Sequence, residues 1–403
     1  MKSQIKSLTL ALLALFIAFS LIRFPDQALE ASIRGLNMWW EIVFPSLLPF
    51  FITAELLIGF GVVRFIGIIF EPIMRPIFRV PGVGSFVWAM GMASGYPSGA
   101  KLTARLRQEK QLTRIEAERL VSFTNASNPL FIFGAVSVGF FHDPTLGILL
   151  AASHYLGNTL VGICMRFYGR EQTPTRDRSR DRITLKKAFL ALHQTRLEEP
   201  RPFGKFFGDA VLSSIQTLLM IGGFIIMFSV FNKLLFLVGI TPIIAGAIGI
   251  LFQMLTLPQE LTLPFISGLF EITLGSQMTA QAENSVLLQQ VICVSFILAF
   301  NGFSVQAQVA SILADTDIRF RPYFLARILH GLFAAGLSVL LFVPLYVDRQ
   351  AFESDESPVW LRLSKHETFW SELFEKLVNI GPLMTIASLA IASLILYRRI
   401  IKK

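Results

Sequence analysis

Glu271 stands in the stretch GLFEITLG (Gly268 to Gly275), with ten uncharged residues before it and eleven after it. A carboxylate in such apolar surroundings costs roughly 3 kcal/mol or more unless it is protonated, paired or set beside a cation. Two chemistries fit it: a site for a coupling H+ or Na+, or a group that reads a protonated substrate. The plainer alternative is a salt bridge locking the segment to a basic residue elsewhere. Thr273, two positions on, joins the candidate site. Asn125, Ser127 and Asn128 precede Pro129 in an otherwise apolar run. Proline removes an amide donor and interrupts a helix, so a second half-helix is expected near Pro129, its positive end favouring a carboxylate. Asn301, Ser304, Gln306 and Gln308 form a similar cluster later in the chain. Both clusters read as substrate-binding, with helix–helix hydrogen bonding as the alternative.

A third polar group, Ser94, Tyr96, Pro97 and Ser98, breaks the apolar stretch GMASGYPSG (Gly91 to Gly99). Lys101 follows it, either to draw in an anion or as a basic anchor at the cytoplasmic surface. His154 and His330 read as neutral histidines bonded to backbone, or as a proton relay, and Glu55 as the partner of a basic neighbour. Catalytic signatures are missing: there is no GxxxxGK[ST] phosphate loop, HExxH, GxSxG or clustered His/Cys spacing. The His142–Asp143 pair alone is too little for a phosphohydrolase. The chain reads as a non-enzyme with no cofactor and no metal site, and Cys164 and Cys293 as ordinary buried thiols.

These residues need a membrane to position them. Of 403 residues 53% are hydrophobic and 16% charged, the mean hydropathy is +0.60, and soluble domains carry about 25% charged residues. A span needs about 20 apolar residues. Leu120 to Phe141, Pro144 to Met165, Ala210 to Asn232, Ile328 to Val347 and Leu377 to Tyr397 qualify, as does Trp39 to Phe60 with Glu55 inside it. Ser7 to Ile22 is an anchor helix whose flanking Lys6 and Arg23 can snorkel. Residues 169–205 hold ten Lys/Arg against five acids, and 348–377 hold four against seven. The first stretch is therefore cytoplasmic, the second outside, and both termini cytoplasmic. The net charge of +9 records topology, and no nucleic-acid partner is implied.

At an offset of 177 residues Pro81 meets Pro258, Gly91 meets Gly268, Phe123 meets Phe300 and Ser127 meets Ser304. Residues 101–119 contain six Lys/Arg, whereas 278–296 contain none. Equivalent loops of opposite charge bias imply an inverted-topology repeat, a construction common among secondary transporters. The fold expected is an all-α polytopic membrane protein of about eight transmembrane helices plus two re-entrant helical hairpins, 83–100 and 260–277. Residues 62–79 suit an interfacial cytoplasmic helix, whereas their uncharged counterpart 239–256 either spans or lies at the interface. The chain divides into an N-terminal anchor helix and external loop (1–38), a first repeat (39–168), a basic cytoplasmic linker (169–205) and a second repeat (206–347). An extracytoplasmic segment (348–377), containing the amphipathic stretch Trp360 to Leu377, and a last transmembrane helix with a basic tail (378–403) follow.

With the hairpins and interrupted helices in hand, GMASGYPSGAKL (Gly91 to Leu102), SFTNASNPLFIFG (Ser122 to Gly134), GLFEITLG and AFNGFSVQAQV (Ala299 to Val309) resemble the nucleoside-recognition, or Gate, superfamily over nearly the whole chain. That superfamily includes concentrative nucleoside transporters and several sporulation membrane proteins. The resemblance implies an elevator-like carrier of a small polar molecule, with a scaffold and a mobile domain carrying the hairpins. For the sporulation members it implies movement of dipicolinic acid from the mother cell toward the forespore, across the outer forespore membrane, and by analogy a trimer. The first hairpin has Tyr-Pro-Ser where nucleoside carriers keep Gln-Thr-Glu, and Asn301 lies one position earlier than their Asn-Phe-Ser motif would place it. Both departures turn the reading toward a small organic anion as partner, with a nucleoside carrier or a non-transporting scaffold for spore cortex or envelope assembly as alternatives.

Overall fold

A computed structural model describes residues 2–169, 185–198 and 201–348. The proposed last span Leu377 to Tyr397, the amphipathic stretch Trp360 to Leu377 and the basic tail lie outside the described residues. Within them every regular element is helical. The chain runs through α1 (Lys2–Arg23), α2 (Pro25–Met38), a π-helical turn (Trp39–Val43), α3 (Phe44–Gly59), α4 (Val62–Phe78), α5 (Val83–Ser94), α6 (Ser98–Gln108) and α7 (Arg114–Thr124). A π-helical segment (Leu130–Phe140), α8 (Leu146–Met165) and α9 (Leu185–Glu198) follow. The later part holds α10 (Phe203–Leu237), α11 (Ile240–Met254), α12 (Thr262–Phe270), α13 (Ile272–Ala280), α14 (Leu287–Phe300), α15 (Gly302–Ala314) and α16 (Phe320–Phe342).

Among the described residues four stretches are long and apolar enough to cross a membrane: Leu146–Met165, Phe203–Leu237, Leu287–Ala314 and Phe320–Val347. The number rises to six if two bent pairs, α1 with α2 (105°) and α3 with α4 (80°), each count as one span. The 35 residues of α10 extend about 50 Å at 1.5 Å per residue, more than the roughly 30 Å of a hydrocarbon core. Several expectations change. Leu120 to Phe141 is not one continuous helix, because it unwinds at residues 125–128. Residues 25–38 form a helix where an external loop was anticipated, with Ala28 and Ala31 packed against Val230 and Leu234 of α10. Part of the 169–205 linker is α9, whose Phe189 ring meets Phe65 of α4. With 15 residues, α11 is short of a full span.

Local backbone signals recur in the two halves. Gly61 (φ 78°) and Gly239 (φ 85°) open α4 and α11 in the left-handed region, and Arg79 (φ 54°) and Thr256 (φ 56°) adopt it where these helices finish. Pro81 and Pro258 then lead into the helical pairs α5–α6 and α12–α13.

Packing sorts the helices into two walls. In one, Trp39, Leu47 and Phe51 meet Leu218, Ile221 and Ile225 of α10, and Trp39 Nε1 donates to the Leu218 carbonyl at 2.8 Å. The other wall joins both halves, and α3 reaches into it: Ala54, Ile58, Phe78, Leu120 and Phe123 share a core with Val305, Val309 and Tyr323. Likewise Ile132, Val136 and Leu149 pack with Val291, Val294 and Leu298. In lipid such contacts act through van der Waals fit and interhelical hydrogen bonds, because the tails are as apolar as leucine.

Polar groups close one end of the second wall. Arg107 forks onto Asp317 at 2.8 and 2.7 Å, and the buried Glu118 accepts from Arg319 Nε at 2.9 Å and Tyr168 Oη at 2.8 Å. The hydrogen bonds from Arg107 hold the Asp317 carboxyl below the usual carboxylate range.

Candidate functional site

Two helical pairs fold back on themselves and meet. In the first, α5 and α6 approach closely because Gly91 and Gly99 both lie on the Thr124 carbonyl, where any Cβ would overlap it. The tip is braced internally: Ser94 donates to the Met90 carbonyl at 2.6 Å, Ser98 donates to the Gly95 carbonyl, and the two hydroxyls are 2.6 Å apart. In the second, a Cβ at Gly275 would overlap the Cα of Gly268, so α12 and α13 touch backbone to backbone. The helical pairs run to Gln108 and Ala280, past the 83–100 and 260–277 bounds read from sequence.

Glu271 occupies the second tip in an extended conformation (φ −143°) and caps α13. Its carboxylate accepts from the Thr273 amide at 3.0 Å and the Leu274 amide at 2.8 Å. In place of the salt bridge weighed as the alternative, the carboxylate meets a helix N-terminus, whose free amides and dipole hold a negative charge. Thr273 supplies one of those amides, and its hydroxyl lies 3.4 Å from Met38 Sδ.

Each helical pair is followed by an interrupted helix. After α7 the chain is unwound at 125–128 and resumes at Leu130, with Asn128 Oδ1 accepting from the Phe131 amide at 2.7 Å. The half-helix foreseen at Pro129 is present, and Asn128 caps its positive end. In the later half the break is a single residue, Asn301, at φ 72° between α14 and α15. The two breaks adjoin: Asn301 packs against the Asn125 carbonyl and Tyr323.

Both tips and both interrupted helices surround one cavity of about 310 Å³, at the small end of ligand-pocket sizes. Tyr96, Asn128, Glu271, Ser304 and Gln308 give its polar lining, while Met38, Val43, Leu47, Ile221 and Ile225 form an apolar face from the α2–α3–α10 wall. Among the described lining residues Glu271 is the one carboxylate, and none is Lys, Arg or His.

The remaining candidates stand behind this lining. Ser127 bonds the Tyr96 hydroxyl at 2.9 Å, Asn125 Oδ1 accepts from the Ala100 amide at 3.0 Å, and Gln306 donates to the Phe300 carbonyl at 3.1 Å. Ser94, Ser98 and Asn301 are likewise buried supports. Lys101 sits 3.6 Å from Glu55 and 4.7 Å above the Phe51 ring, joining hairpin helix α6 to α3 of the opposite wall. The His154 and His330 rings adjoin, tilted by 52° with centroids 4.7 Å apart. His154 Nε2 accepts from the Ser127 amide at 2.9 Å, and His330 Nε2 lies 2.8 Å from the His154 carbonyl. These bonds set the tautomers of two backbone-bonded histidines.

Sequence reading missed Arg327, which is fully buried on α16. It donates to the Asn125 carbonyl at 2.8 Å, to the Ser122 carbonyl, and to Asn158 Oδ1 at 3.2 Å, while His330 Nδ1 lies 3.0 Å away. The available signal was its position three residues before His330, one helical turn along the same face; a span drawn to begin at Ile328 left it just outside.

Comparisons with known proteins give the family. A family profile described as "Gate: Nucleoside recognition" matches residues 40–166. The sporulation integral membrane protein YlbJ of Bacillus subtilis (strain 168) is 57% identical over 395 residues, covering 96% of this chain and 95% of that protein. No solved structure matches the chain. An integral membrane protein carrying a nucleoside-recognition Gate domain, the chain belongs to the YlbJ family of sporulation integral membrane proteins.

Proposed function

We propose that the chain is a secondary carrier that moves a small organic anion, dipicolinate, across the outer forespore membrane through the cavity between the two walls. The observation that carries this reading is the convergence of both hairpin tips and both interrupted helices on one cavity of about 310 Å³. Discontinuous helices meeting at one site are how many secondary transporters place a substrate. A non-transporting scaffold has little use for a partly polar cavity with a carboxylate in its wall. In this reading the second wall, with its hairpins, slides along the apolar α2–α3–α10 wall in an elevator-like motion. The halves are inverted repeats, the full chain has eight spans with two re-entrant hairpins, and both termini are cytoplasmic. A trimer follows by analogy with nucleoside carriers.

Charge sets the coupling. With one carboxylate and no cationic side chain among the described lining residues, an anion meets repulsion until Glu271 takes up a proton. Proton and anion then load together, and the proton's release on the far side restores the cap of α13. Asn128, Ser304 and Gln308 supply neutral hydrogen bonds for the cargo. A nucleoside is the second reading, favoured by the lack of a cation in the lining. Flux into proteoliposomes tests both: saturable, proton-stimulated dipicolinate uptake with no uridine uptake supports the proposal. Uridine uptake instead would transfer the assignment to nucleosides, and no saturable flux of either would favour the scaffold.

A further inference from the structure

A buried guanidinium normally faces a carboxylate, since an uncompensated charge in a membrane interior is costly. Arg327 faces none. Among the described residues its partners are the carbonyls of Ser122 and Asn125, Asn158 Oδ1 and the His330 ring, with the Tyr323 ring 5.5 Å from its Cζ. The two carbonyls belong to the last turn and the unwound exit of α7, where the helix dipole is negative and carbonyls lack intrahelical donors. The neighbouring Phe123 carbonyl accepts from Asn158 Nδ2 at 2.5 Å, and Leu120 accepts from Thr124 Oγ1 at 2.9 Å. Side-chain donors thus hold four carbonyls of this broken end.

Half-helix C-termini and unwound carbonyls in transporters are where a coupling cation is coordinated. At the α14–α15 break the Phe300 carbonyl accepts instead from the neutral Gln306 amide. We propose that Arg327 is a tethered counter-cation, whose guanidinium fills the carbonyl cage at the end of α7 that an alkali cation would otherwise occupy. The broken helix is thereby neutralised without Na+ or K+, leaving Glu271 as the place where an ion can couple. This last point rests on the transport reading; occupancy of the cage by Arg327 does not.

The test uses the purified full chain in detergent and in proteoliposomes. Thermal unfolding of the wild type should be the same in NaCl, KCl and choline chloride at equal ionic strength. Arg327→Ala should unfold several degrees lower and recover with millimolar guanidinium or Na+, but not with choline. Any flux of wild type should agree within about twofold between Na+ and choline, less than the 1.4 kcal/mol that tenfold represents. Wild-type stabilisation or stimulation by Na+ over choline would overturn the proposal, as would an Arg327→Ala protein as stable as wild type in every salt. If Arg327→Ala does not fold, Arg327→Lys keeps a tethered cation and should stay indifferent to Na+; Na+ dependence there overturns the proposal. Absence of flux in all salts would count against the carrier assignment, while the unfolding data would still decide the role of Arg327.

Discussion

Replacing Glu271 separates its two roles, because capping and charge are removed by different substitutions. Its carboxylate accepts two amide hydrogen bonds, from Thr273 at 3.0 Å and Leu274 at 2.8 Å. Hydrogen bonds to a charged group contribute about 1.5–3 kcal/mol each, yet N-cap replacement by alanine costs about 0.5–2 kcal/mol in all. Aspartate ranks with the best N-caps, so Glu271→Asp should unfold near the wild-type temperature. Glu271→Gln keeps one acceptor oxygen and should lose about 1 kcal/mol, with Glu271→Ala lowest, at about 1–2 kcal/mol. If the residue only caps α13, transport follows this stability order. If it carries the coupling proton, Glu271→Gln breaks the order: it folds better than Glu271→Ala but loses proton-driven uptake as completely. The loss should be about tenfold or more, equivalent to about 1.4 kcal/mol. The assay is dipicolinate uptake into proteoliposomes under an imposed pH gradient, alongside thermal unfolding of the same preparations. Wild-type gradient-driven flux in Glu271→Gln would refute the coupling role.

Three further outcomes test the architecture. Gly275→Ala puts a methyl group onto the Gly268 backbone, which no rotamer relieves; overpacking of about 1–3 kcal/mol should appear as a lower unfolding temperature. Lys101 and Glu55 are only 14% and 15% exposed as side chains, so each single replacement should destabilise and the charge swap Glu55→Lys with Lys101→Glu should recover. A double-mutant cycle should give a coupling between the roughly 1 kcal/mol of a surface pair and the roughly 3 kcal/mol of a buried one. Because Arg107 holds Asp317 below its unfolded value, the pair's stabilisation is present above the ordinary carboxylate range and lost as the pH falls through the folded value. Asp317 is 49% exposed, so Asp317→Asn should cost under about 1 kcal/mol at neutral pH, and unfolding curves should show the difference closing in acid.

Local sequence marks made much of the site legible. Breaks in helices leave local marks, such as Pro129 after three polar residues and small residues at Gly91, Gly99, Gly268 and Gly275, so both tips and both interruptions could be placed. Which polar residues face the cavity could not, because that depends on how the tips lean together: Tyr96, Asn128 and Ser304 line it, whereas Asn125, Ser127 and Gln306 turn to backbone and neighbours behind it. The apolar wall was equally hidden, since Leu47, Ile221 and Ile225 look like any lipid-facing residues until α3 and α10 pair. Arg327 was missed for a related reason. Its charge suggested a span boundary, whereas carbonyls contributed by α7, some 200 positions away, are what keep it inside.

The most direct test of the central claim is substrate protection inside the cavity. Cys164, expected to be buried, is exposed, so Ser304→Cys on a Cys164→Ser background places a thiol in the cavity lining, leaving Cys293, which is buried, as the other native thiol. Labelling by a small thiol reagent in membranes should slow in proportion to dipicolinate occupancy, with half-protection at the concentration that half-saturates flux. Uridine should leave the labelling rate unchanged. Saturable dipicolinate flux with Ser304→Cys labelling unaltered by dipicolinate would contradict the account, since cargo would then cross without occupying the cavity.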